Sequence, residues 1–275
     1  MTISAPRYGS TSSERLGRTR RVLAIVRREL RRRAGWGTVA AVALAFVSVA
    51  AVVIVDAEFA SLTRTLRLTT LEAPFESPIW PLLLLLVATS AGAGALAEDA
   101  GNRSIVLYLS RPIRLLDYVG AKAIACATWI LIAAAGPPLT AVLILTLLGV
   151  VPTSIAVSAA LGYLAVGLLA TIFLTGVALS LSSLTSRPLY AGVGIFGVVL
   201  SLFIGAAAVA AITGNLYVPY ASPVTLLRSV GIGVFGGPST PETDPATSAA
   251  VLAIAGAVLG AFAAWRASRV EVVSE

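Results

Sequence analysis

Six long apolar runs, separated by short polar segments, make up most of the chain. A helix needs about 20 apolar residues to cross the hydrocarbon core of a bilayer. Backbone amides in lipid must be bonded within their own segment, so runs of this length are predicted to form helices. We therefore predict an all-α membrane protein with six transmembrane helices. The predicted spans are residues 36–55, 80–97, 121–150, 155–181, 189–213 and 247–265.

The third run is long for a single crossing, and it contains a Gly-Pro-Pro sequence near its middle. Gly136, Pro137 and Pro138 occupy these positions. Proline removes a backbone donor and bends a helix. We expect a kink here, which allows either a tilted span or a broken helix.

The segment before the first span has the periodicity of an amphipathic helix. Within residues 13–34 an apolar stripe recurs at helical spacing, whereas most of the arginines fall elsewhere. A helix of this kind lies in the membrane interface, with arginines near lipid phosphates and leucines among acyl chains. It could serve as a topology anchor, as a gate leading into the first span, or as both. The stripe consists of Leu16, Val22, Leu23, Val26 and Leu30.

Composition agrees with a membrane protein and argues against nucleic-acid binding. The chain is 57% hydrophobic and 12% charged, against the roughly 25% charged residues of an average soluble domain. Its net charge is +7, but ten of the twenty basic residues fall in the first 33 positions. This concentration ahead of a span suits an anionic membrane face better than a DNA groove. We expect lipids and no nucleic acid as partners.

Basic residues also predict the orientation, because lysine and arginine accumulate in cytoplasmic segments. With the N-terminus inside, seventeen basic residues fall on the inner side and three on the outer side, namely Arg64, Arg67 and Arg228. We therefore predict a multi-pass protein of the cell membrane with both termini in the cytoplasm. It divides into a basic tail with the amphipathic helix (1–35), the six-helix domain (36–266) and a short cytoplasmic tail (267–275).

The predicted spans contain few groups that could do chemistry. Ionisable residues are absent from their interiors, and Lys122 lies at the inner end of the third span. Ion-coupled carriers and intramembrane hydrolases need such groups at membrane depth. There is no histidine and one cysteine, so neither a zinc site nor an internal disulfide is predicted. The phosphate-binding pattern G-x-x-x-x-G-K-[ST] is also missing around Lys122, the chain's one lysine. We expect no enzyme activity and no cofactor in this chain.

A charged insert of residues 98–122, between the second and third spans, is the best candidate for contact with a soluble partner. Its sequence predicts a short helix across the inner membrane face, at about 102–109, followed by a restart at Ser110-Arg111-Pro112. An ordinary solvated loop would account for its basic residues alone. It would not account for the acidic pair, the apolar segment and the restart together. The candidate contact residues are Glu98, Asp99, Asn102, Arg103, Ile105, Leu107, Leu109, Arg111 and Arg114.

In this insert the chain resembles the permease subunits of ABC-2-type transporters. The family pattern is a leucine-rich turn, then Arg/Lys-Pro-Ile-x-Arg, then Tyr-x-x-x-Lys. Here the residues are Leu107-Tyr108-Leu109-Ser110-Arg111-Pro112-Ile113-Arg114 and Tyr118-Val119-Gly120-Ala121-Lys122, with Arg114 directly after Ile113. The resemblance implies six spans, cytoplasmic termini and a coupling helix that docks into an ATPase subunit. The counterpart of that helix here is 102–109.

Small residues in the last two spans predict close helix approach. Packing within one bundle is the favoured interpretation, and a seam between two copies is the alternative. The residues are Gly197, Ser201 and Gly205 in span five, and Gly256, Gly260 and Ala264 in span six. Before span six, the apolar stretch 218–235 within residues 216–245 could be a re-entrant hairpin, as the resemblance implies, or a surface loop.

The resemblance implies a transport subunit, most simply an exporter, whose energy comes from another chain. It would pair with an ATP-binding cassette subunit, which binds the ATP, and with a second permease copy or a paralogue. The uncharged spans favour a lipidic or amphipathic substrate. The alternative from a different class is a membrane scaffold or assembly factor that recruits a cytoplasmic partner without transporting anything.

Overall fold

A computed structural model describes residues 18–63, 71–77, 79–102, 115–236 and 243–269. Every regular element within these residues is helical. The α-helices are α1 (Arg18–Arg33), α2 (Trp36–Thr63), α3 (Ala73–Glu76), α4 (Ile79–Gly92), α5 (Gly94–Gly101), α6 (Leu115–Leu147), α7 (Thr153–Ser183), α8 (Pro188–Thr213), α9 (Pro223–Val234) and α10 (Pro245–Arg269). A 3₁₀ turn, Val218–Ala221, precedes α9.

Five of these helical segments are long and apolar enough to cross a membrane: Ile79–Gly101, α6, α7, α8 and α10. A sixth span results if the pair Val22–Arg33 and Trp36–Val52, which is bent by 78°, is counted as one. The architecture is therefore that of an all-helical protein compatible with multiple membrane passes. Most observed helices extend past the predicted spans, because charged and polar end residues continue the helix beyond the apolar run.

Helix α7 lies at the centre of the bundle, with α6, α10 and the α4–α5 segment packed around it. Two-thirds of the most apolar window is buried in both α7 and Ile79–Gly101, against 17% for α8 and 22% for α10. Helices α8 and α10 therefore present most of their apolar surface outward. Helix α6 is one continuous helix of 33 residues that contains Pro137 and Pro138, so of the two alternatives at this sequence the broken helix does not occur.

Side-chain oxygen atoms complete the backbone bonding where helices begin or break. The α4–α5 segment is interrupted at Ala93, and the Ser182 hydroxyl of α7 donates to the Ala93 carbonyl (2.9 Å). The same hydroxyl accepts from the amides of Leu96 (2.8 Å) and Ala97 (3.0 Å). At the start of α10, Asp244 accepts from the Thr247 amide (2.8 Å), and this hydrogen bond lowers the pKa of Asp244. Both arrangements satisfy amides that have no partner within their own helix.

The end of the bundle formed by residues 71–77 and 216–245 is held by aromatic side chains. The rings of Phe75 and Trp80 meet edge to face with their centroids 5.0 Å apart, and the ring centroids of Tyr163 and Phe235 are 4.7 Å apart. The Tyr163 hydroxyl donates to the Leu71 carbonyl. Helix α9 is packed against α10, and most of its residues are buried. Helix α9 is thus packed into the bundle, whereas Leu216 and Tyr217 before it are exposed.

Candidate functional site: a buried ion cluster

The opposite end of the bundle contains a cluster of charged side chains where α1, α5 and the beginning of α6 meet. Three of the groups are acidic and three are basic, so the cluster is formally neutral. Each pairs with at least one group of opposite charge within 4.0 Å. The members of this ion cluster are Glu29, Arg32, Arg33, Glu98, Asp99 and Lys122.

Lys122 is the centre of the ion cluster and is completely buried. Its ammonium group is 3.4 Å from the Glu29 carboxylate and is also paired with Asp99. Tyr118, one helical turn earlier on α6, donates its hydroxyl to the same Asp99 oxygen. The Lys122 ammonium lies 5.2 Å from the centre of the Tyr118 ring. The Tyr-x-x-x-Lys spacing thus presents two side chains of one helix face to a single carboxylate.

Helix α1 contributes charged side chains to the interior of the bundle. Glu29 is 1% exposed, and its carboxylate is 3.2 Å from Nη2 of Arg33. Nη1 of Arg33 donates to the Ala91 carbonyl on α4. The indole of Trp129 on α6 donates to the Leu30 carbonyl (3.3 Å), which also accepts from the Ala34 amide (3.1 Å) at the end of α1. These contacts fix the end of α1 against both α4 and α6.

The accessible edge of the ion cluster is formed by Arg32 and Glu98. Their closest atoms are 2.8 Å apart, and the side chains are 43% and 35% exposed. Arg32 also lies 3.6 Å from the buried Asp99 carboxylate. A half-exposed pair contributes about 0–1 kcal/mol, whereas loss of one partner from a buried pair costs about 3–5 kcal/mol. The strength of the ion cluster therefore lies in Glu29, Asp99 and Lys122.

The structure distributes the predicted contact residues unevenly. Asp99 is buried in the ion cluster, Glu98 lies at its edge, and Asn102 is exposed at the end of α5, with its amide bonded to the Glu98 carbonyl (2.9 Å). A direct partner contact by Asp99 would require this pairing to open. The other predicted contact residues lie outside the described residues: Arg103, Ile105, Leu107, Leu109, Arg111 and Arg114.

Glu29 and Arg33 are site residues that the sequence analysis missed. On α1, Val26 is buried together with Glu29 and Arg33, so the buried face includes an i, i+4 ion pair. Leu23, predicted to lie on the apolar stripe, is 60% exposed. A glutamate in register with the apolar positions of a basic helix was the available signal. It indicates a buried acid that needs a basic partner on another helix.

The predicted small-residue contacts hold at one position and fail within the chain at others. A Cβ on Gly256 would lie 2.8 Å from Cα of Phe173, so α10 and α7 approach closely here. Around Gly197, Gly205 and Gly260 such a Cβ would meet no atom within 4 Å, and Ser201 is exposed. Among the described residues, span five therefore makes no close contact through these positions, and the alternative of a seam between two copies stays a prediction. Its buried side instead includes Ala191, Gly192, Ile195 and Val199.

Comparison with known protein families found no family model that matches the chain. Comparison with curated proteins found no match either.

Proposed function

We propose that the chain is the permease subunit of an ATP-driven transporter of the ABC-2 type, working as an exporter in the cell membrane. A separate ATP-binding cassette subunit would bind the ATP. That subunit would dock on the cytoplasmic loop between α5 and α6. A second permease copy or a paralogue would complete the pathway, and both termini would lie in the cytoplasm.

The observation that carries this proposal is the position of the ion cluster relative to the 103–114 loop. Asp99 lies two residues before the end of α5 at Gly101, and Lys122 lies seven residues after the beginning of α6 at Leu115. The two helices that flank the loop are therefore joined to each other by Asp99 and Lys122. Both are joined to α1 through Glu29 and Arg32. A force applied to the loop would reach α1 and the bundle through these pairs.

Buried ion pairs would transmit a movement of the loop to the helices better than a loop without such pairs would. Paired charges in a low-dielectric interior hold a defined geometry, because separating them leaves a buried charge without compensation. Closure of the ATPase pair would push on the loop, and α5, α6 and α1 would move together as one unit. This movement would reshape a pathway between two permease halves. The mechanism needs no catalytic group in the spans.

The proposal is tested by identifying the proteins that co-purify with the chain from its native membrane. The tagged chain is purified in mild detergent, and co-purifying proteins are identified by mass spectrometry. We expect a stoichiometric partner that carries the G-x-x-x-x-G-K-[ST] phosphate-binding sequence. Its ATP hydrolysis should rise when the purified partner is returned to the chain.

Loop variants supply the specificity of this test. The double variant Arg103→Glu/Leu107→Asp should lose both partner binding and stimulation of ATP hydrolysis. Tyr217→Glu adds a negative charge at an exposed position on the opposite, aromatic end of the bundle and should keep both. Binding that survives the double variant would contradict the docking assignment. A partner without an ATPase sequence, or one bound without any change in ATP hydrolysis, would favour the scaffold alternative.

A further inference from the structure

A cavity of about 570 Å³ lies at the aromatic end of the bundle, opposite the ion cluster. It is bounded by the end of α8, the beginning of α9 and the α3 segment. Its volume falls within the roughly 300–1,000 Å³ of typical small-molecule sites. The ion cluster does not contribute to it, so the cavity needs a separate explanation.

The α8 wall of the cavity is built from small apolar residues. Phe203 closes one side, and four alanines recur along the helix at positions that face the space. Alanine leaves room that a longer side chain would fill, so this wall can accept a hydrocarbon tail in place of its own side chains. The four alanines are Ala206, Ala207, Ala210 and Ala211.

Two opposite charges line the same cavity, Glu76 from α3 and Arg228 from α9. Both side chains belong to exposed residues. Within the residues that the structure describes, neither has an ion-pair partner within 4.0 Å. The other polar side chains of the lining, Ser77, Asn215 and Thr225, already bond to neighbouring groups. Recognition of a polar ligand therefore falls to the carboxylate and the guanidinium.

We propose that this cavity binds an amphiphile with an apolar tail and a zwitterionic head group. The tail would lie on the alanine wall, the anionic part of the head group would pair with Arg228, and the cationic part would pair with Glu76. A purely anionic head group would meet the Glu76 carboxylate unfavourably, and a purely cationic one would meet Arg228 unfavourably. An uncharged amphiphile would leave both charges unused.

As a statement of substrate class, this inference rests on the proposed transport function. As a binding site, it can be measured with neither ATP nor a partner chain present. Loss of ATPase coupling with the site intact would overturn the proposed function and leave the site standing. Failure of binding while ATPase coupling is kept would overturn this inference alone.

The experiment uses the full chain in dodecyl maltoside micelles, whose head group is uncharged. The probe is a lysophosphatidylcholine with a photoreactive diazirine in its acyl chain, and the labelled peptides are mapped by mass spectrometry. We expect labels on α8 around 203–214 and on α9. Unlabelled lysophosphatidylcholine should compete, whereas a monoacylglycerol with the same chain should not. Equal competition by the monoacylglycerol, or labels confined to other helices, would overturn the proposal.

Four variants test the two parts of the site. Ala207→Leu should fill the tail region and lower labelling about tenfold, as steric exclusion does. Ala208→Leu, on the adjacent position outside the cavity lining, should label as the wild type does. Glu76→Gln and Arg228→Gln should each lower labelling about two- to fivefold, as expected for exposed charge contacts. Wild-type labelling in Ala207→Leu would overturn the proposal, and so would wild-type labelling in both charge variants. Either result is sufficient if the variants of the other part of the site fail to fold.

Discussion

Lys122 is the residue of the ion cluster whose charge we expect to matter most for stability, because it is fully buried and lies between two carboxylates. Lys122→Met keeps much of the side-chain volume but leaves Glu29 and Asp99 without their cation. Removal of one partner from a buried ion pair costs about 3–5 kcal/mol. We expect a markedly lower midpoint of thermal unfolding for the purified variant in detergent, or loss of folded protein at expression.

Arg32 provides the comparison for Lys122 within the same ion cluster. Its side chain is 43% exposed, so water can replace its partners. Arg32→Gln should therefore cost about 1 kcal/mol or less. Equal destabilisation by Arg32→Gln and Lys122→Met would show that burial does not determine the strength of these pairs.

Gly256 tests the closeness of α7 and α10 at a single backbone position. A Cβ there would lie 2.8 Å from Cα of Phe173 and 2.9 Å from the Ile172 carbonyl carbon, and backbone atoms cannot move aside cheaply. Gly256→Ala should lower the free energy of unfolding by about 1–3 kcal/mol, as overpacking typically does, and should lower the midpoint of thermal unfolding with it. Gly260→Ala, one turn later on α10 with no atom within 4 Å, should unfold at or above the wild-type temperature.

At the scale of elements, the helices could be predicted from the sequence, whereas their partners could not. In lipid, the backbone of a long apolar run can satisfy all its hydrogen bonds by forming a helix. Each predicted span accordingly overlaps a described helix. Small residues, in contrast, indicate that close approach is allowed but not where it happens. Gly256 packs against α7, while Gly197 on α8 has an equivalent sequence context and no neighbour within 4 Å.

The ion cluster shows the same division between local and long-range information. Tyr118 and Lys122 were recognisable as a pattern, because their spacing is local to one helix. Their partner Asp99 lies 19 residues before Tyr118, and Glu29 lies on a different helix altogether. Only the folded arrangement determines that these acids are inside the bundle. The sequence assigned Asp99 to a surface contact, since a charge next to a loop is usually solvated.

The Ser182 side chain joins α7 to the interruption between α4 and α5. Its hydroxyl satisfies two amides and one carbonyl at this position. Ser182→Ala should leave those groups without partners, at a cost of about 1–3 kcal/mol. Unfolding of the purified variant should be compared with that of Ser183→Ala. Among the described residues, the Ser183 hydroxyl bonds to the Ser180 carbonyl of its own helix alone, so its loss should have a small effect.

At the scale of the whole molecule, the distribution of basic residues predicts which end of the bundle faces the cytoplasm. The ion cluster and the start of α8 would lie inside, and the aromatic end with the 3₁₀ turn would lie outside. The chain is well suited to a labelling test, since Cys126 is its one cysteine and is buried. Native labelling by a membrane-impermeant maleimide should therefore be negligible.

Two single substitutions place a reactive thiol at opposite ends of the bundle. Tyr217 is 82% exposed beside the 3₁₀ turn, and Ser186 is exposed in the connection between α7 and α8. In intact cells, the maleimide should label Tyr217→Cys, and it should label Ser186→Cys only after the membrane is permeabilised. The physical reason is that seventeen basic residues fall on the same side as Ser186 and three on the opposite side, and segments rich in basic residues stay in the cytoplasm. The reverse labelling pattern would invert the orientation, and with it the side from which an ATPase could reach the 103–114 loop.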